Sequence, residues 1–209
     1  MLKGLASDFT GSADICRVVA PQDLATSTCL ASQFLLPTNE TILFSLQSSK
    51  EEFSFTNEAL LRIEGENATT TRKLVTRFDY KSHIIAHVRF ETAGRVDRDC
   101  ELKFMIGSES ISIDVAKNQE PQVRELYKVL ELLSRQQKKN ERQWEFSRVA
   151  LDKAAEAMRL SESSGLTLTT QADEALTWIQ QLYERAHPRC YKDVIQSAFN
   201  SVRMGQKME

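Results

Sequence analysis

Four carboxylates, Glu91, Asp97, Asp99 and Glu101, crowd into the stretch "ETAGRVDRDCE". Closely paired carboxylates are what general acid and base catalysis uses. Here Arg89, Arg95, Arg98 and Lys103 are interleaved with them, and opposite charges on facing strands neutralise one another as cross-strand pairs. The pattern therefore predicts a charged hairpin turn. His83 and His87 have the i, i+4 spacing that on a helix would hold a metal ion. They lie in strand-like "HIIAHVRFE", where a rise of about 3.3 Å per residue sets them roughly 13 Å apart. No Gly-x-Ser-x-Gly nucleophile turn, phosphate-cradling glycine loop or Cys–His pair at informative spacing is present. The expectation is a protein that is not an enzyme, with no catalytic residue, no cofactor and no metal.

Two further groups could bind rather than react. Lys138, Lys139 and Arg142 form a short basic cluster that could contact an anionic surface, and Trp144, Phe146 and Trp178 are large aromatics on helical sequence. Cys16, Cys29, Cys100 and Cys190 are scattered, which reads as four reduced thiols. With 41% hydrophobic residues in 209 the chain can build a core, and a net charge of −2 gives no overall field that would attract nucleic acid. The opening lacks an apolar run long enough for a signal peptide, and no stretch reaches the roughly 20 apolar residues of a membrane span. A cytoplasmic setting is expected. The charge is unevenly placed: residues 37–120 hold 11 Lys and Arg against 14 Asp and Glu, whereas residues 121–160 hold 9 against 6. An acidic body carries a basic helix.

The elements that must position these groups follow from periodicity. "TILFSLQ", "EFSFTN", "ALLRIEG", "KLVTRFDY", "IIAHVRFE", "CELKFMIG" and "SISIDVA" are seven alternating runs with short breaks, which predicts antiparallel strands with one face packed and one wet. After Pro121 the period changes. Val123, Leu126, Leu130, Leu133, Trp144, Leu151 and Met158 fall at three-and-four spacing, so one helix of about 55–60 Å is expected. Polar Gln137 and Asn140 at its seam suggest where it leaves the body. A break at "SESSGLTLTT" precedes a second helix from about Gln171 to Ala186 and, after Pro188, a third piece ending near Val202. The first 36 residues read as a short helix in "LKGLASDF" followed by loop.

A seven-stranded sheet capped by a C-terminal helix is the pleckstrin-homology arrangement. The strings "ETILFSLQSSKEEFSFTNEALLRIEGE" and "ETAGRVDRDCELKFMIGSESISIDV" resemble the bacterial pleckstrin-homology domain family, and within it the YvbH-like group with a helical C-terminal oligomerisation region. The resemblance implies an α+β fold: a PH-like seven-stranded antiparallel barrel or sandwich capped by a long C-terminal helix, followed by a helical extension. It also implies a homo-oligomer without catalytic activity, and makes "ETAGRVDRD" the hairpin between the fifth and sixth strands, with Gly94 supplying unusual backbone angles. The loop after the first strand, "QSSKEEF", offers one cation, Lys50, answered by Glu51 and Glu52, so phosphoinositide recognition there is not expected.

The expected organisation is an N-terminal helix and loop (1–36), a PH-like domain (37–134) and a helical oligomerisation extension (135–209). The chain itself is the expected partner, in a ring if head-to-tail contacts close. Trp144, Leu151, Met158, Trp178 and Leu182 are expected at the oligomer interface or in the hairpin core. Two rival readings are a peripheral membrane module using Lys138, Lys139 and Arg142, and an adaptor that receives an unknown protein at the barrel edge.

Overall fold

The computed structural model describes residues 14–19, 23–24, 29–65, 72–158 and 168–206. The seven alternating runs form β2 (Ile42–Gln47), β3 (Glu51–Thr56), β4 (Ala59–Gly65), β5 (Lys73–Asp79), β6 (Ile85–Glu91), β7 (Asp99–Ile106) and β8 (Glu109–Ala116). An eighth strand, β1 (Arg17–Val19), precedes them. The strands make two antiparallel sheets, β1-β2-β3-β4-β5 and β6-β7-β8. β1 was not expected, because three residues carry no readable period. It pairs with Gln47, Leu46 and Ser45 of β2, while Cys16 forms a parallel bridge to Val115 of β8. One short segment thus ties the two sheets together.

Three helices follow: α1 (Glu120–Met158), α2 (Leu168–Ala186) and α3 (Lys192–Gln206). α2 starts three residues ahead of the expected Gln171, and α3 runs past the expected end near Val202. Residues 159–167, most of the expected break, and the expected helix in "LKGLASDF" lie outside the described residues.

Phe44, Leu46, Phe53, Phe55 and Leu60 from the first sheet meet Leu102, Phe104 and Ile111 from the second in one buried cluster. The first turns of α1 close it with Val123, Leu126, Val129, Leu130 and Leu133. Each such side chain contributes about 1.5–3 kcal/mol when fully buried. Tyr191, Ile195 and Ala198 belong to the same cluster, so α3 completes the core from within the chain.

Two expectations about polar faces are corrected. The outer face of the first sheet is not uniformly wet: Cys29 and Ala31 cover Leu61 and Ile63 there. Glu52 lies beneath them, and its carboxylate accepts the backbone N–H of Leu30 and Ala31 at 2.8 and 3.0 Å, the Ser54 hydroxyl at 2.7 Å and the Cys29 thiol at 3.0 Å. A buried carboxylate with four donors caps the short 3-10 turn Leu30–Phe34. Nor does α1 leave the body at Gln137. That side chain is only 2% exposed; its amide donates to the carbonyls of Tyr80 and His83 at 3.0 and 3.1 Å and accepts the N–H of Ile85 at 2.9 Å. A polar residue sits at the seam because the loop into β6 needs backbone partners.

Candidate functional site

Of the charged side chains expected to pair in the turn between β6 and β7, Lys103, Glu91 and Glu101 form ion pairs among the described residues, and Arg89, Arg95 and Arg98 do not join them. Lys103 lies 3.3 Å from Glu91 and 2.7 Å from Glu101. Its hydrogen bond, followed by one from Ser112, holds the Glu101 carboxyl below its ordinary value. An acceptor fixed in its charged form is a poor proton donor. Gly94 has no positive φ, which corrects the expected reason for its presence. A Cβ there would stand 2.5 Å from the Asp97 carboxylate, which accepts the Gly94 N–H at 2.8 Å. Among the described residues the glycine in the left-handed region is Gly107 (φ +60) in the β7–β8 turn, where a Cβ would stand 2.9 Å from the His83 ring.

The histidines are held apart by different structural duties. His83 lies before β6 and its ring bonds the Asp79 carbonyl at 3.1 Å. His87 occupies a left-handed position (φ 52) where the β6–β7 register shifts between Ala86 and Arg89, a bulge of the kind that adds an unpaired residue. Among the described residues no group of three or more His, Cys, Asp or Glu side chains could hold a metal. Burial pushes the Cys16 thiol up to about 12 and Cys100 to about 11, so neither is a thiolate nucleophile at neutral pH.

The helices offer a different surface. Trp144 on α1 meets Tyr183 of α2 edge-on at 5.2 Å and His187 at 6.0 Å, while Tyr183 and His187 stack at 4.4 Å. Nε2 of His187 lies 3.5 Å from Glu141 of α1, and Lys81 from the barrel stands 5.6 Å over Tyr183. Trp144 is thus a half-buried hairpin contact within the chain, and Leu182 is half-buried on α2. Leu151 is also half-buried, Trp178 is exposed, and Met158 ends α1 with its side chain outside the described residues. Lys138, Lys139 and Arg142 are exposed on α1 and line the same groove as Trp144 and Leu182. Sequence reading missed Tyr183 and His187, whose i, i+4 spacing places both on one edge of the helix end. It also missed Arg185, which brings a cation to the groove from the second helix.

Residues 11–133 match the family model described as "Bacterial PH domain". The chain belongs to the bacterial PH domain family. It is 31% identical over 205 residues to the uncharacterized protein YvbH of Bacillus subtilis (strain 168), an alignment that covers 96% of this chain and 100% of that one. The crystal structure of a PH domain containing protein from Exiguobacterium sibiricum 255-15 superposes with a TM-score of 0.79 at 30% identity, covering 89% of this chain and 100% of that one. That coverage exceeds the span of the bacterial PH domain itself, so the likeness runs into the helices beyond it. The β2–β3 loop of this bacterial PH domain places Lys50 3.0 Å from Asp14; of the two carboxylates expected to answer it, Glu51 lies 3.9 Å from Arg62 and Glu52 is buried under the 3-10 turn. No helix among the described residues is long and apolar enough to cross a membrane.

Proposed function

We propose that this bacterial PH domain protein is a non-enzymatic, cytoplasmic binding module that assembles with copies of itself through the α1–α2 hairpin and serves as a scaffold. The observation that carries the reading is apolar surface on that hairpin: Phe146 is 76% and Val149 49% exposed on α1, and Leu176 is 65% and Trp178 49% exposed on α2. Burying such side chains between chains contributes about 1.5–3 kcal/mol each, set against the loss of translational and rotational freedom on association. The charge division of the chain adds orientation, because a basic helix of one copy complements the acidic barrel of the next.

Light scattering behind size-exclusion chromatography tests the proposal on the full chain. The expected mass is a multiple of the 23.8 kDa protomer, falling to one protomer when Phe146 and Trp178 are both replaced by Glu. A mass of one protomer for the unaltered chain at tens of micromolar concentration sinks the proposal. Truncation near Ser134 is not the control of choice, since it removes Tyr191, Ile195 and Ala198 from the core.

A further inference from the structure

Between α1 and α2 lies a groove of about 670 Å³, within the range of small-molecule sites. Arg135, Lys138, Lys139 and Arg142 line it from α1 and Arg185 from α2. The four on α1 fall at intervals of three and four and so share one face. Trp144, Phe146 and Leu182 give the same groove an apolar side.

The nearby acidic side chains lie against groups other than Lys138, Lys139 and Arg142, and one of them neutralises Arg135 of the groove itself. Glu131 pairs with Arg135 at 3.3 Å, Glu141 with His187 at 3.5 Å and Glu145 with Arg148 at 2.9 Å. Among the described residues, Lys138, Lys139 and Arg142 have no carboxylate partner. Like charges at this spacing destabilise a helix, and an anion placed among them relieves that repulsion. A carboxylate offers one charge and two oxygens. A phosphate offers up to two charges and three oxygens, which suits three cations projecting from adjacent turns.

We propose that the groove binds a phosphate ester bearing an apolar group, with the phosphate on Lys138, Lys139 and Arg142 and the apolar part against Trp144 and Leu182. The site is remote in sequence from the β2–β3 loop, and its phosphate contacts, Lys138, Lys139 and Arg142, are not among the apolar side chains that carry the proposed self-assembly. Phosphate of this kind comes from two sources, a free organophosphate or the headgroup of an anionic phospholipid in a bilayer.

The test uses the full chain with Trp178→Phe, which leaves Trp144 as the single tryptophan of the two in the sequence. Its emission is followed during titration with phenyl phosphate, with dioctanoyl phosphatidic acid, and with vesicles of phosphatidylcholine with or without phosphatidic acid. A saturable change with the soluble esters is expected, weakened about tenfold or more when Lys138 and Arg142 are both replaced by Gln, as befits loss of charged hydrogen bonds. A response to soluble esters assigns a free ligand; one confined to vesicles containing phosphatidic acid assigns the bilayer. The proposal is overturned by the absence of a saturable response to every phosphorylated probe. It is equally overturned if the K138Q/R142Q variant responds undiminished, or if octanoate or pure phosphatidylcholine acts as well. Both substituted side chains are exposed, and the melting temperature of the variant is recorded alongside to show that its fold is intact.

Discussion

Gln137 accepts the backbone N–H of Ile85 at 2.9 Å across 52 residues of chain, and this bond fixes the long helix to the start of the second sheet. The same amide holds the Tyr80 and His83 carbonyls. Gln137→Leu leaves three backbone groups to find other partners in a buried site, and a buried polar group without one costs about 1–3 kcal/mol. The variant is expected to lose about 3 kcal/mol in urea unfolding monitored by circular dichroism. A loss under about 0.5 kcal/mol, the range of ordinary surface substitutions, would contradict the role assigned to this side chain.

The two turn glycines are expected to respond unequally to alanine. At Gly107 a side chain meets both a left-handed backbone and the His83 ring, so Gly107→Ala is expected to cost about 1–2 kcal/mol. At Gly94 the obstacle is the free end of Asp97 on an exposed loop, which can rotate away. Thermal melts of the two variants should therefore rank Gly94→Ala above Gly107→Ala; the reverse order would refute the assignment.

Glu40 is a fully buried carboxylate held by Arg77 at 3.0 Å, the Thr56 hydroxyl at 2.6 Å and the Leu36 N–H at 2.8 Å. Arg77→Met removes its only cation among the described residues, and breaking a buried pair from one side costs about 3–5 kcal/mol. The double variant Arg77→Met with Glu40→Gln is expected to recover part of that loss. Equal stability of the single and double variants would show that the charge itself is immaterial.

Alkaline pH should weaken the fold. Burial raises the Cys16 thiol from 9.0 to about 12, so the folded state keeps a proton that the unfolded chain gives up. Its contribution is fully present below pH 9 and is lost as pH rises through the folded value of about 12. Urea midpoints should fall between pH 8.5 and 10.5, and less steeply in Cys16→Ser, whose hydroxyl does not titrate there. Parallel slopes would remove Cys16 from the explanation.

Seven strands and the long helix were legible because alternation and three-and-four spacing are properties of the chain itself. "DCELKFMIG" buries every second residue as read: Cys100, Leu102, Phe104 and Ile106. What periodicity cannot show is which polar face acquires a cover. Glu52 and Ser54 alternate with Phe53 and Phe55 in β3, yet all four are buried because a segment some twenty residues upstream lies over the polar pair. The candidate groove was half visible. Lys138, Lys139 and Arg142 stand out as a cluster, whereas Arg185 joins them only because α2 packs against α1, a pairing of faces that one-dimensional spacing does not encode.

The placement of α3 bears on the order in which the protein can be made. Tyr191, Ile195 and Ala198 lie in the barrel's own core, so a nascent chain that has exposed every strand and most of α1 still presents an unfilled apolar surface. Synthesis at about 5–20 residues per second leaves that surface uncovered for several seconds while α2 and α3 are added. The chain is then at its most vulnerable to chaperone capture or aggregation, and a stall before α3 emerges would prolong that state.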